Sequence, residues 1–201
     1  MSSGPALVAA LAARWPLPDR LDLRDELLVA WDRPGYHDLL HLTEVLDRLD
    51  ELADAGVPLD RTPVAVAAWF HDAVYDGAPD DEERSARWAE RALTGPLATE
   101  VARLVRMTVE HRPDDDDTHG GALSDADLAI LAAPPERYDA YVAGVRADFA
   151  HVGDDDFRAG RRAVLEDLIA RTRLFRTGRA RELWEERARA NLARELARLR
   201  D

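Results

Sequence analysis

Apolar residues recur three and four positions apart along nearly the whole chain, and runs in which Val, Ile or Thr alternate with polar residues are missing. That period belongs to helices rather than strands and predicts an all-α fold. The pattern places helices at 5–15, 20–31, 37–55, 63–76, 80–94, 97–111, 125–132, 135–151, 155–175 and 179–200. Start signals stand at Thr62-Pro63, Ser124, Pro134-Pro135 and Asp154, and Gly56, Gly77, Gly95, Gly120-Gly121, Gly153 and Gly178 mark ends. The segment 63–76 opens with Val64, Ala65, Val66, Ala67, Ala68, Trp69 and Phe70, is apolar on almost every face, and belongs in the interior. From Phe157 to Arg200 two long amphipathic stretches, with Leu165, Leu168, Ile169, Leu183 and Leu192 inward, predict a C-terminal helical hairpin. No repeat and no linker interrupts the chain, so residues 1–201 read as a single domain.

Composition narrows the chemistry. Among 201 residues there is no cysteine, which excludes disulfides, thiolate metal sites and thiol nucleophiles and fits an intracellular, cytoplasmic setting. All 27 basic residues are arginine, so P-loop, Schiff-base and general-base lysines are excluded as well. A formal charge of -13 argues against a nucleic-acid polymer as partner, since that binding needs a basic surface. A small anionic substrate stays open, because one cation and a few arginines make a locally positive cleft. The start, Met1 to Trp15, lacks a basic leader pattern, and no apolar stretch reaches membrane-spanning length. The acidic runs 114–117 and 154–156 read as solvated loops or helix starts.

The candidate chemistry lies in Tyr36-His37-Asp38-Leu39-Leu40-His41 and in the pair His71-Asp72. His37 and His41 are spaced i, i+4, which puts them on one face if the helix begins at 37. An ionised Asp72 inside an apolar helix calls for a cation, and imidazole with carboxylate suits a divalent ion (Mn, Fe, Co, Ni, Zn or Mg), one or two per chain. Asp76, four residues beyond Asp72, would share its helix face, there to orient a water or accept its proton, or simply to end the helix before Gly77. Glu82 and Glu83 either reach the cleft or favour the dipole of a first helical turn. His111, at the end of 97–111, is a candidate for a second metal or a phosphate contact; His119 and His151 are lesser ones.

His41, His71-Asp72 and an aspartate in Leu123-Ser124-Asp125-Ala126-Asp127-Leu128 together resemble the HD superfamily of metal-dependent phosphohydrolases. More narrowly, 36–41, 69–76, Glu82 to Ala86 and 124–131 are similar to a bacterial group of HD phosphohydrolases. The resemblance implies an HD-domain-like helical bundle that hydrolyses a small phosphate-containing substrate, with His41, His71, Asp72 and one of Asp125 or Asp127 as ligands. Ser124 and Asp127 have capping-box spacing, which would free Asp125 for metal, whereas the Ala-Asp-Leu setting favours Asp127. Similarity to the start of the cyclic-nucleotide phosphodiesterase site gives His37 the role of general acid; Asp76 and His111, from their positions above, complete the candidate catalytic set. Arg84, Arg112, Arg146, Arg161 and Arg162 are candidates for the phosphate. The same ligand order is also similar to HD-type di-iron oxygenases, which need more histidines, and a non-catalytic nucleotide- or partner-binding domain is the third reading. Oligomeric state, metal identity and substrate identity are not written in the chain.

Overall fold

A computed structural model describes residues 4–199, which leaves Met1–Ser3, position 200 at the end of the predicted helix 179–200, and position 201 outside the described residues. The described chain is all-α. In order come α1 (Pro5–Ala12), α2 (Leu21–Trp31), α3 (Leu39–Asp54), α4 (Arg61–Phe70), α5 (Asp81–Ala92) and α6 (Gly95–Met107). They are followed by α7 (Thr118–Leu128) with a 3-10 turn at Ala129–Ala132, then α8 (Pro135–Asp148), α9 (Asp154–Ala170) and α10 (Gly178–Arg198). No described helix is long and apolar enough to cross a membrane.

Helix α4 runs through the middle, packed by α3, α6 and α7, and Val64, Val66, Ala67, Ala68, Trp69 and Phe70 are fully buried, as its all-round apolar sequence predicts. The chain ends in a hairpin-like α9–α10 pair, in which Leu165 and Leu192 are fully buried and Ile169 and Leu183 partly so. The acidic runs also sit where expected: Asp117 caps α7 through the amide of Gly120, and Asp154 to Asp156 open α9.

Several boundaries differ from the sequence pattern, among them the end of α6 at Met107, which leaves His111 beyond the helix, and three others bear on the site. Helix α3 starts at Leu39, not 37, because the Asp38 carboxylate accepts from the amides of Leu40 and His41 and so caps the helix. His37 therefore precedes the helix and does not share a helical face with His41. Helix α7 starts at Thr118, so Ser124 is interior to a helix and forms no capping box with Asp127. The Gly120-Gly121 pair suggested a break, but a Cβ at Gly120 would come within 2.2 Å of the capping Asp117 carboxylate, so glycine is there to admit the cap. At α4, Asp60 takes the cap by accepting from the amide of Thr62, and Pro63 falls among the first-turn positions that need no amide partner.

The third difference is the end of α4, which stops at Phe70 rather than 76. Every carbonyl there finds another partner. Ala68 O accepts from His71 Nδ1 at 2.7 Å, Trp69 O from the Trp31 indole at 2.8 Å, and Phe70 O from the amide of Ala73 at 3.0 Å. Beyond them the Arg33 guanidinium donates from Nε to the carbonyl of His37, from Nη1 to those of Ala30 and Ala73, and from Nη2 to that of Asp72. It lies between the rings of Trp31 and Tyr75, 4.9 and 5.5 Å from their centroids. From the far side, the Ser85 hydroxyl contacts both the amide and the carbonyl of Val74, and buried Asp81 accepts three amides, from Asp76, Gly77 and Ala78.

Arg33→Met keeps the bulk of the side chain but strips four carbonyls of their donor. A loss of about 2–4 kcal/mol is expected, read as a fall in melting temperature on the order of 5–10 °C. Arg33→Lys should recover little, because one ammonium cannot span both edges. A wild-type melting temperature in Arg33→Met would show that the two loops hold their shape without it.

Candidate metal centre

Three helix ends meet at one point. His41 stands in the capped first turn of α3, His71 directly follows α4, and Asp127 is in the last turn of α7. His41 Nε2 is 3.2 Å from His71 Nε2 and 3.2 Å from Asp127 Oδ1, and His71 Nε2 is 3.7 Å from that same oxygen. One donor atom from each residue lies within 4.8 Å of the others, so His41, His71 and Asp127 form a group able to hold a metal ion. Because His71 Nδ1–H is committed to Ala68 O, its Nε2 is the nitrogen left to face the group. The Asp72 carboxylate enters from the same side, with Oδ2 3.3 Å from His71 Nε2 and 3.7 Å from His41 Nε2.

The electrostatics suit a cation. Both histidines are buried, and Trp31 lies under both rings at 5.3 and 6.0 Å. Burial depresses His41, against the pull of Asp127, so it is neutral near neutrality. Burial also acts to lower His71, but Asp72 and Asp127 outweigh it and hold the imidazolium up to about 9. Burial would raise the Asp127 carboxyl; His71 and the bond from His41 instead hold it well below the usual range. Two imidazole nitrogens and two carboxylates thus converge where a divalent cation would be held. Two nitrogens with one or two carboxylate oxygens suit a borderline transition ion and leave coordination positions for other ligands.

Around this centre lies a cavity of about 620 Å3 that Tyr36, His37, Tyr75, Glu82, His111 and Asp127 line on one side. His37 Nδ1 is 2.7 Å from Asp148 Oδ2, its Nε2 is 4.0 Å from Asp72 Oδ2, and its ring stacks on Tyr75 at 3.8 Å. Asp148 also accepts from the amide of Tyr36 at 3.1 Å, and it fills the space beside Gly35 so closely that a Cβ there would fall 1.5 Å from its Oδ1. With φ at +112°, Gly35 is in a conformation other residues rarely adopt, and glycine satisfies both demands. His111 projects from a left-handed backbone (φ +51°), unusual for a residue with a Cβ, and reaches Asp127 Oδ2 at 3.3 Å and Ser124 Oγ at 3.2 Å. Glu82 is half-buried, and burial raises its carboxyl. The Tyr36 hydroxyl is buried without a hydrogen-bond partner among the described residues.

Other candidates lie elsewhere. Asp76 is not on a helix with Asp72: it follows the α4 end in a loop, is largely exposed, and pairs with Arg84 at 2.8 Å. Asp125 is buried on the other side of α7, where it accepts the amides of Arg176 and Thr177 at 2.6 and 2.7 Å and steadies the start of α10. His119 bonds Glu100 and the amide of Asp60, and His151 sits exposed beside Phe149. Of the five arginines considered for phosphate, Arg161 lines the cavity; Arg112 and Arg146 pair with Asp167 and Asp154, Arg84 with Asp76, and Arg162 is exposed on α9. Glu83 is tied to Arg87 and Arg106.

Sequence reasoning missed Asp148, Tyr75, Arg33 and Asp81. For the first of these the one available signal was Gly35, directly before Tyr36-His37. No protein-family model, curated protein or solved structure matches the chain.

Asp125→Asn and Asp127→Asn separate scaffold from ligand. The Asp127 variant should lose more than tenfold in metal affinity while the metal-free protein melts near the wild-type temperature. The Asp125 variant should keep its metal and melt lower, because two buried amides lose their charged acceptor, worth about 1.5–3 kcal/mol each. Calorimetric metal titration of both variants checks this, and the reverse pattern would exchange their roles.

Proposed function

We propose that the protein is an HD-type metal-dependent phosphohydrolase acting on a small phosphoester. The observation that carries this is the convergence of His41, His71 and Asp127 on one point, with Asp72 beside them, at the wall of a cavity that also holds a carboxylate-braced His37. These four residues would hold a divalent ion, which supplies polarisation of a phosphoryl oxygen and a water of lowered pKa.

The rest falls to the chain's own side chains. Asp148 fixes the proton of neutral His37 on Nδ1, so Nε2 is the atom that faces the cavity. When His37 is protonated, Nε2–H is the proton available to the departing oxygen, and Asp148 stabilises the imidazolium. Tyr75, stacked on the ring, prevents it from turning away. With Asp76 committed to Arg84, the nearby proton acceptor is Glu82, whose raised carboxyl lies on the same cavity wall.

His111 favours a second reading. It meets Asp127 Oδ2 while His41 meets Oδ1, so this carboxylate has one oxygen toward each of two histidine groups, as a two-metal centre requires. A di-iron oxygenase built this way would consume dioxygen when loaded with iron, whereas a hydrolase would not.

A leaving group that is already acidic needs little protonation, so His37→Ala should slow alkyl phosphoesters on the order of a hundredfold more than nitrophenyl ones while retaining its metal. Asp148→Asn should show the same selectivity with a loss of about tenfold. Equal losses on both ester types would take His37 out of the acid role. Failure of the metal-loaded protein to hydrolyse either type of ester would refute the proposed function itself.

A further inference from the structure

The cavity beside the metal centre is lined by apolar as well as polar groups: Leu131, Tyr141, Val145, Phe149, Val164 and Leu168 come from the 3-10 turn, α8 with the residue after it, and α9. Five large apolar side chains stand exposed among the described residues, and two of them, Val109 at 57% and Val164 at 50%, belong to this cavity. An apolar wall that continues to an exposed apolar rim suits an organic group entering from solvent.

The charges lining the cavity point the same way. Two arginines, Arg161 and Arg171, face four carboxylates, those of Glu82, Glu110, Asp127 and Asp167. Neither guanidinium is free. Arg161 grips Glu195 with two bonds of 2.7 and 3.0 Å and the Tyr141 hydroxyl with a third, and Arg171 holds Asp167 and the carbonyls of Glu110 and His111. A divalent ion would offset two of the negative charges and accept one phosphoryl group. No unpaired guanidinium of this lining meets the further charges of a di- or triphosphate, and Arg48, Arg137 and Arg187 stand in a separate cavity beside His41 and Asp127.

We propose that the substrate is a phosphate monoester with an apolar organic group, the phosphoryl end at the metal centre and the apolar end against Tyr141, Val145, Phe149, Val164 and Leu168. This rests on the hydrolytic reading above and narrows it. In the reaction, water gives a proton to Glu82 as its oxygen bonds to phosphorus, the bond from phosphorus to the ester oxygen breaks, and His37 gives a proton to the departing alkoxide, yielding an alcohol and inorganic phosphate; Glu82 then releases its proton to solvent and His37 takes one up. An apolar body also explains a cleft in which guanidiniums brace the walls instead of meeting the ligand.

Two series test this on metal-loaded full-length protein. In the first, non-hydrolysable alkylphosphonates from ethyl to octyl are titrated calorimetrically; affinity should rise about fourfold for each methylene fully buried, with an increasingly negative heat-capacity change. In the second, kcat/KM for the matching alkyl phosphates should climb in parallel, hexyl exceeding ethyl on the order of a hundredfold and exceeding a nucleoside triphosphate. Val164→Asp, at a half-exposed position where folding is not at stake, should flatten both series. Hydrolysis with no dependence on chain length, or a preference for the nucleoside triphosphate, would overturn the apolar substrate class and leave the hydrolase intact. Length-dependent phosphonate binding without hydrolysis of any ester would do the reverse, keeping the apolar subsite and removing the hydrolase.

Discussion

A single guanidinium sets the geometry on which the site depends. Arg33 donates at once to the loop that carries His37 and to the loop that carries Asp72 and Ala73, and neither loop has a regular backbone of its own to fix it. Lone lysines make poor clamps of this kind, because an ammonium is a point donor, whereas the planar fork of arginine spans two chains and stacks between Trp31 and Tyr75. Burial lowers the Arg33 pKa, yet four acceptors and the nearby Asp72 and Asp148 carboxylates keep its charge compensated. The end of α4 follows from the same set of bonds: once Trp31, His71 and Arg33 take the carbonyls, the chain is free to leave the helix at Phe70 and turn Asp72 toward the histidines.

The bonds that end α4 also prepare the metal centre. Donating Nδ1–H to Ala68 gives His71 a fixed orientation, the capping carboxylate of Asp38 sets the first turn from which His41 projects, and the Asp117 cap determines where α7 begins and hence which face carries Asp127. The placement of these three donors is therefore a consequence of how three helices end. The net charge of -13 has a local counterpart here, since Asp127 and Glu82 line the cavity while Asp72 and Asp148 contact His71 and His37 beside it, a concentration of carboxylates that a cation would suit.

Helix content was legible because the apolar period was nearly unbroken, and burial of α4 followed from having no polar face. The donors His41, His71 and Asp127 were legible as residue types in a familiar order. The Ala-Asp-Leu setting already favoured Asp127 over Asp125, and in α7 the two side chains, two residues apart, diverge, one to the histidines and one to the start of α10. What could not be read was contact between distant positions. Asp148 lies 111 residues from His37, and its hold on the ring leaves no periodic trace. Asp76 was misplaced because a helix pattern continues through 63–76, while the carbonyls that would extend it are taken by side chains from elsewhere in the chain. Glycine misled at α7 for a related reason, since Gly120 makes room for a capping carboxylate and does not end a helix.

The central claim is that three helix ends assemble one cation site. Anomalous diffraction from crystals of the manganese-loaded protein tests it most directly. The account predicts a peak at about 2.0–2.3 Å from His41 Nε2, His71 Nε2 and an Asp127 oxygen. Peaks confined to exposed carboxylates such as Asp114–Asp117, with none between the two histidines, would contradict it.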